Sequence, residues 1–472
     1  LWSFSLFEEE DLINFLQRGL LEDELGELLR QWDYLSPAVQ LELIKHLRST
    51  VCEEEMLARA LGIKKATAKA LLENPAVEFE FPAVSDGGGR IVKALAVPNT
   101  SENYSNIREQ KRHIKPVTDY LRSRGVLSEG LSVFFDSGFV GNSFQLAMVL
   151  SFLVKKLPSD LCWTGGVRKD GRLAKVDSLE KKAQLCQMEG KRLAMPFHLR
   201  SVDELTDWLN AELVDIPLAV SKDPIKLEEF FEKRENLLNL WHIHRIDPSE
   251  LILHTGRLEG ELWKETARRF SQLVKRLDYT LERRLRAHLV INGPVSLAFA
   301  LGVLYGHTRP SAVYHYLRGD KRYYAVELFN TREVKEAVGE YRHIRQDLEG
   351  DGEELAVVLY FGHHNPVADI KAFLADRGIG AEVLLLWMEE GRGNIDPADF
   401  KPIAKECASA VQEVKGKKHH RRLHFFFSCP VVIAYLFGVA FGHFGSGVIY
   451  NFEGNTYEPV LELEFLRGLI ED

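Results

Sequence analysis

Cysteine is scarce in this 472-residue chain, and its five copies (Cys52, Cys162, Cys186, Cys407 and Cys429) form no CxxC pair. So odd and scattered a set excludes a disulfide framework and a cysteine-built zinc site. Cys162, Cys186 and Cys429 lie in apolar stretches and read as small core residues of a protein from a reducing compartment. Positive charge is not in excess either: 60 Lys and Arg against 69 Asp and Glu give a net charge of −9, so no general attraction to nucleic acid is expected. No Walker motif occurs, and Gly87-Gly88-Gly89 lacks the downstream lysine of a phosphate loop and reads as a hairpin turn. The longest apolar run, Leu423 to Tyr450, is interrupted by His424, Pro430 and His443 and divides into strand, helix and strand, which argues against a membrane span. The expected location is cytoplasmic. The chain opens on Leu1 rather than methionine, which leaves room for an upstream signal or anchor.

What is present is ordinary globular composition, 45% hydrophobic and 27% charged, with length for two to four domains. Residues 1–77 read as helical: Phe4, Leu6 and Phe7 precede a Glu-rich helix start, and Leu12, Leu16, Leu20 and Leu21 keep one apolar face. Glu54 to Asn74 has the shape of a helix-turn-helix with Gly62 at the turn. The acidic run Glu53-Glu54-Glu55 would repel phosphate, so packing or partner docking is expected in place of DNA contact. From residue 78 to about 225 an α+β domain follows. It opens on strands 78–81 and 91–97 and continues through a polar helix over 105–124 and a strand at 131–135.

From about 240 to 472 the chain repeats itself. The run from Ile291 through Gly302 matches the run from Phe427 through Gly438 at a constant offset of 136, which persists through Gly306-His307 and Gly442-His443 and pairs Tyr314 with Tyr450. Leu251-Ile252-Leu253-His254-Thr255-Gly256 is matched more loosely with Val357-Val358-Leu359-Tyr360-Phe361-Gly362. The alternation of strand and helix predicts two Rossmann-like α/β halves, about 245–345 and 350–472, paired as a pseudo-dimer with their strand-to-helix turns facing a shared groove. Turns at Thr255-Gly256, Asn292-Gly293, Phe361-Gly362 and Ser428-Cys429 would offer amides to phosphates. Tyr314, Trp387 and Tyr450 could stack on bases, and Arg309, Arg392 or Lys321 could pair with phosphate, against the alternative of core aromatics and solvated cations. The histidine pairs His242/His244, His363/His364 and His419/His420 lack carboxylate or cysteine partners at ligand spacing, so no metal is expected. Lys415 to Arg422 reads as a solvated basic loop.

Between Gly141 and Pro196 lie the parts of a Ser–Lys hydrolytic dyad. Ser143 opens an apolar helix, whose amides and dipole suit developing negative charge, and Lys182 sits on a second helix. To act as a base near neutrality Lys182 must fall from about 10.4 to roughly 7–8, which requires an apolar setting. Leu179, Ala183 and Cys186 surround it at helical spacing, and Lys181 points elsewhere. The alternative is a serine that merely caps a helix and a surface lysine.

Gly141-Asn142-Ser143-Phe144-Gln145, Thr164-Gly165-Gly166-Val167, Gly171-Arg172-Leu173 and Leu179-Glu180-Lys181-Lys182 resemble the proteolytic domain of Lon. The resemblance implies Ser143 as nucleophile, Lys182 as general base, Thr164 as the group orienting the lysine, and amides around Asn142 and Ser143 as oxyanion donors. It departs from the family where Asn142 replaces proline, Phe144-Gln145 replace Ala-Gly, and Asp177-Ser178 replace paired glycines. Without an ATPase motor, such a domain would not unfold its substrates.

The second half, with His424-Phe425-Phe426-Phe427-Ser428-Cys429-Pro430 followed by Ala434, Gly438 and Tyr450, resembles the SAVED domain, a fusion of two CARF-like units. A Lon-like domain joined to SAVED resembles the CRISPR-associated Lon-like proteases of prokaryotic antiviral signalling. That resemblance implies a cyclic oligoadenylate activator (cyclic tetra-adenylate as the ring), ligand-induced homo-oligomerisation and cleavage of a specific partner protein. No ATP, metal or other cofactor and no direct DNA binding are expected. Two other outcomes are a catalytically inactive signalling scaffold, which Phe144-Gln145 would favour, and a nuclease that degrades the cyclic ligand.

Overall fold

A computed structural model describes residues 8–18, 22–50, 52–85, 88–328 and 333–471. Phe4, Leu6, Phe7, Leu20, Leu21 and Gly87 lie outside the described residues. The chain divides into two compact units. The first comprises Leu1–Ala211 with Leu238–Ile246, and the second comprises Glu212–Leu237 with Asp247–Asp472.

Unit 1 begins with five helices, α1 (Glu9–Arg18), α2 (Glu22–Arg30), α3 (Pro37–Ser49), α4 (Glu54–Leu61) and α5 (Lys65–Glu73). Leu12, Leu16, Leu43, Leu57 and Leu71 bury one face each in a shared cluster around Trp32. Gly62 closes α4 in the left-handed region, at φ 64°, which turns the chain directly into α5. A four-stranded sheet follows, in the order β1-β2-β4-β3, from β1 (Val77–Ser85), β2 (Gly88–Thr100), β3 (Tyr104–Ser105) and β4 (Gly130–Phe135). Helix α6 (Lys111–Ser123) precedes β4, and α7 (Gln145–Leu153) follows it. Strand β5 (Leu161–Trp163) pairs in parallel with β8 (Arg192–Ala194), whereas β6 (Gly166–Val167) pairs antiparallel with β7 (Leu173–Ala174). Helix α8 (Leu179–Met188) connects these small sheets, and α9 (Val202–Asn210) closes the run.

Unit 2 holds two mostly parallel sheets. The first, in the order β10-β9-β11-β12-β13, contains β9 (Val214–Ser221), β10 (Ile252–His254), β11 (Leu285–Asn292), β12 (Ser311–Leu317) and β13 (Arg322–Leu328). Helices α11 (Leu262–Thr280) and α12 (Val295–Tyr305) lie between them in sequence, and α10 (Arg234–His242) begins in this unit and ends in unit 1. The second, in the order β14-β16-β15-β17-β18-β19, contains β14 (Arg345–Glu349), β15 (Glu354–Tyr360), β16 (Ala381–Trp387), β17 (Leu423–Ser428), β18 (Gly447–Glu453) and β19 (Thr456–Glu462). Its helices are α13 (Val367–Asp376), α14 (Phe400–Lys417), α15 (Val431–Phe441) and α16 (Leu463–Glu471).

Three boundaries differ from expectation. Strand β9 lies in the first sheet of unit 2, between β10 and β11, so the boundary expected at about 225 falls earlier, near 212. All eight of its residues are buried, as an interior parallel strand requires. Residues 238–246, by contrast, belong to unit 1. Strand β14, at the expected end of the first half, pairs antiparallel with β16 and so belongs to the second.

The repeat holds from β11 onward, where α12 and α15 begin and end at residues 136 apart. Upstream of β11 the matching must change. Strand order places β15 opposite β9 and β16 opposite β10, so Val357–Gly362 corresponds to the end of β9 and not to Leu251–Gly256. The two halves meet through α12 and α15. A Cβ on Gly302 would stand 2.1 Å from the Tyr435 carbonyl oxygen, and one on Gly438 would stand 2.2 Å from that of Phe299. Phe299 and Tyr435 are themselves matched by the repeat, so the crossing is a pseudo-two-fold contact of bare backbone.

Candidate functional site

The chain around Ser143 is held by its neighbours in sequence. Phe144 is fully buried and joins Phe81, Phe135 and Phe139 in one cluster, with ring centroids 5.1 to 5.9 Å from its own. The Gln145 amide donates to the His113 carbonyl at 2.6 Å, and its Oε1 accepts from Val167 N at 2.8 Å and Asn142 Nδ2 at 3.2 Å. The residues that depart from the Lon pattern therefore direct their bulk into the core and brace the loop. No described residue accepts from the amides of Asn142, Ser143 or Phe144, which leaves three donors at the helix start.

Ser143 is only 4% exposed. Its carbonyl accepts from Gly165 N at 3.1 Å and from Thr164 Oγ1 at 3.4 Å. The expected role of Thr164 is thereby corrected, because its hydroxyl is directed to the Ser143 backbone and not to Lys182. Lys182 is 5% exposed on α8. Burial pushes its ammonium pKa down, partly opposed by Asp177. Among the described residues Nζ has no hydrogen-bond or ion-pair partner, and it forms no hydrogen bond with Ser143. The site thus holds a lysine with a depressed pKa and a covered serine that remain unjoined. Ser178, standing where the family has glycine, takes φ 60° and ψ 36°, a left-handed conformation glycine adopts at less cost.

In unit 2 the carboxyl ends of the parallel strands carry most of the predicted ligand residues: Thr255-Gly256 after β10, Asn292-Gly293 after β11, Phe361-Gly362 after β15, Trp387 ending β16 and Ser428-Cys429 after β17. The edges of the two halves adjoin. Ser296 Oγ donates to the Tyr450 carbonyl at 2.6 Å, and Arg257 pairs with Glu453 at 2.9 Å.

Several of these donors are already engaged. Phe361 N and Gly362 N both donate to the Ser428 carbonyl, and Thr255 N donates to that of Ser221. The amides of Gly256, Gly293 and Cys429 have no acceptor among the described residues. Trp387 Nε1 donates to Asp347 at 2.7 Å. Arg392 is exposed, lies over the Tyr360 ring at 4.8 Å, and has no ion-pair partner among the described residues.

Three expectations are corrected. Arg309 bonds Asp278 and the Tyr305 carbonyl at the far end of α12. Tyr314 and Tyr450 lie within strands, the latter buried and stacked on Phe426 at 4.7 Å. Their hydroxyls meet His288 Nδ1 at 2.8 Å and His424 Nδ1 at 3.0 Å, and the other ring nitrogens meet Asp215 at 2.8 Å and Glu354 at 2.7 Å. These duplicated carboxylate–His–Tyr braces were missed, although the offset of 136 that pairs the tyrosines also pairs the histidines. Burial alone would raise the Asp215 carboxyl, yet bonds from His288, Arg286 and Lys233 hold it far below the usual range. Sequence reasoning also misses the end of β9, Ser221-Lys222-Asp223, because a boundary at about 225 leaves these residues in the other domain. The basic loop is engaged, with Lys417 on Glu413, Lys418 and His420 on Glu382, Arg421 on Glu354 and Arg422 on Glu462.

Among the described residues no His, Cys, Asp and Glu group is arranged to hold a metal, and no helix is long and apolar enough to cross a membrane.

Two Rossmann-like sheets fused in tandem and crossing through paired helices define a double α/β module. The family described as "SMODS-associated and fused to various effectors sensor domain", SAVED, matches residues 214–327 and 270–463, together more than half of the chain, and the chain belongs to it. Among solved structures it is similar to the Acinetobacter baumannii Cap4 SAVED/CARF-domain containing receptor with the cyclic trinucleotide 2'3'3'-cAAA, at 14% identity and TM-score 0.37, covering 56% of this chain and 53% of that one. The same receptor with 3'3'3'-cAAA gives 13%, TM-score 0.38 and coverage of 75% and 78%. The Moraxella osloensis Cap4 receptor gives 11%, TM-score 0.36 and coverage of 82% and 94%. This chain thus spans about half the length of the first of these receptors. No curated protein matches it significantly.

Proposed function

We propose that the protein is a sensor–effector switch of prokaryotic antiviral signalling. A cyclic oligoadenylate, with cyclic tetra-adenylate as the ring the sequence resemblance implies, binds along the adjoining carboxyl edges of unit 2. Occupancy drives self-association and turns on Ser143–Lys182 cleavage of a partner protein. The free amides at Gly256, Gly293 and Cys429 and the exposed Arg392 suit bridging phosphates.

The observation that supports the hydrolytic half is the buried, unpartnered Lys182, since a protein retains so costly a group where the neutral amine is used. The separation of Ser143 and Lys182 fits a resting state. It equally favours a second reading, in which unit 1 is an inactive docking module.

The full chain is incubated with cyclic tri-, tetra- and hexa-adenylate and then with a fluorophosphonate probe. Labelling of Ser143 with one ring only is expected, lost in Ser143→Ala while ring affinity stays within a few-fold. Ring binding without labelling would establish the docking module. Binding of no ring would reject the sensor assignment.

A further inference from the structure

Cys162 on β5 and Cys186 on α8 are free thiols, 1% and 0% exposed, packed against each other in a small cluster with Leu193. Cys186 stands one helical turn beyond Lys182, and Cys162 stands two residues before Thr164. We propose that Cys162 and Cys186 are a redox modification site, converted by a small peroxide to a reversible disulfide that fastens α8 to β5.

Three observations support this. The thiols pack in one cluster, where the influence of each on the other lowers the Cys162 pKa and raises that of Cys186, and the Lys191 ammonium favours a Cys162 thiolate further. Cys407 and Cys429 are both pushed up by burial, which disfavours a thiolate at either. Finally, α8 is lightly held. Its two buried residues are Cys186 and the unpartnered Lys182, and the cluster beneath it contains only three buried side chains, so local opening admits a small oxidant cheaply.

The chemistry balances. The Cys162 thiolate attacks a peroxide oxygen, giving a sulfenic acid and hydroxide. The Cys186 sulfur then attacks the sulfenic sulfur and expels hydroxide, which leaves as water with the Cys186 proton. One hydrogen peroxide becomes two waters while two thiols become one disulfide, and a dithiol reductant reverses the step.

The site does not depend on Ser143 being a nucleophile. The test treats the full chain with hydrogen peroxide, quenches by alkylation, and maps peptides without reduction. The expected result is a loss of two hydrogens located to a Cys162–Cys186 crosslink, with Cys52, Cys407 and Cys429 still alkylated, and full reversal by dithiothreitol. Amide exchange in α8 should slow roughly tenfold or more on oxidation. Cys186→Ala should instead stop at a Cys162 sulfenic acid trapped by dimedone. Retention of both thiols, a Cys407–Cys429 crosslink in their place, or unchanged α8 exchange would overturn the proposal.

Discussion

At the residue scale the most informative side chain is Lys182. A charge with no partner at 5% exposure opposes folding, because desolvation is not repaid by an ion pair. Lys182→Met keeps the stem and removes the charge, so the unfolding free energy of the variant should rise by about 1–2 kcal/mol while fluorophosphonate labelling disappears. Chemical denaturation measures the first and mass spectrometry the second. A destabilised variant would mean that the ammonium is satisfied. Lys182 was legible because three small or apolar neighbours recur at helical spacing around it. The direction of Phe144 and Gln145, which replace Ala-Gly, was not legible, since linear sequence does not tell whether a large side chain faces the serine or the core behind it.

At the scale of elements, α12 and α15 decide how the two halves of the sensor meet. Their glycines sit where a methyl group would fall inside the contact distance of a carbonyl oxygen, and backbone moves less readily than a side-chain tip. Gly302→Ala or Gly438→Ala should each cost at least ~2 kcal/mol, read from urea unfolding of the full chain, and the double variant should cost less than their sum because one displacement relieves both clashes. Strict additivity would show that the contacts are independent. The repeat was legible from β11 onward because no insertion breaks its spacing. It failed upstream because the connections between β9, β10 and β11 differ in length from those between β15, β16 and β17, the first of them carrying residues 238–246, which belong to unit 1. The carboxyl-edge turns were therefore placed correctly, while Tyr314, Tyr450 and Arg309 were misplaced: an aromatic or cation beside a glycine-rich turn in sequence can lie along the strand or at the other end of the helix.

For the whole molecule, six histidines share one property. Burial is the leading cause holding His113, His242, His307, His315, His424 and His443 below their ordinary pKa of 6.5. Each is therefore neutral in the fold at a pH where the unfolded chain takes up a proton, so stability is intact well above 6.5 and declines as pH falls below it. A second loss follows below about 4.5. Burial would raise the Glu354 carboxyl, but His424 and Arg421 outweigh it and hold it down, so stability that is present above the unfolded pKa disappears as the carboxyl protonates. Thermal midpoints should fall between about pH 7 and 5.5, and then more steeply below about 4.5. A flat profile above pH 5 would contradict the burial of these imidazoles.

The same whole-molecule view gives the passage of the chain between units a meaning for inheritance. Because residues 212–237 supply a strand to the second unit and 238–246 return to the first, the two units share three junctions in place of one. A single recombination event could not exchange either unit intact: a crossover at any one junction would leave a strand of the second unit or a nine-residue piece of the first on the wrong partner. The pair is therefore expected to descend as a unit, its two parts diverging together.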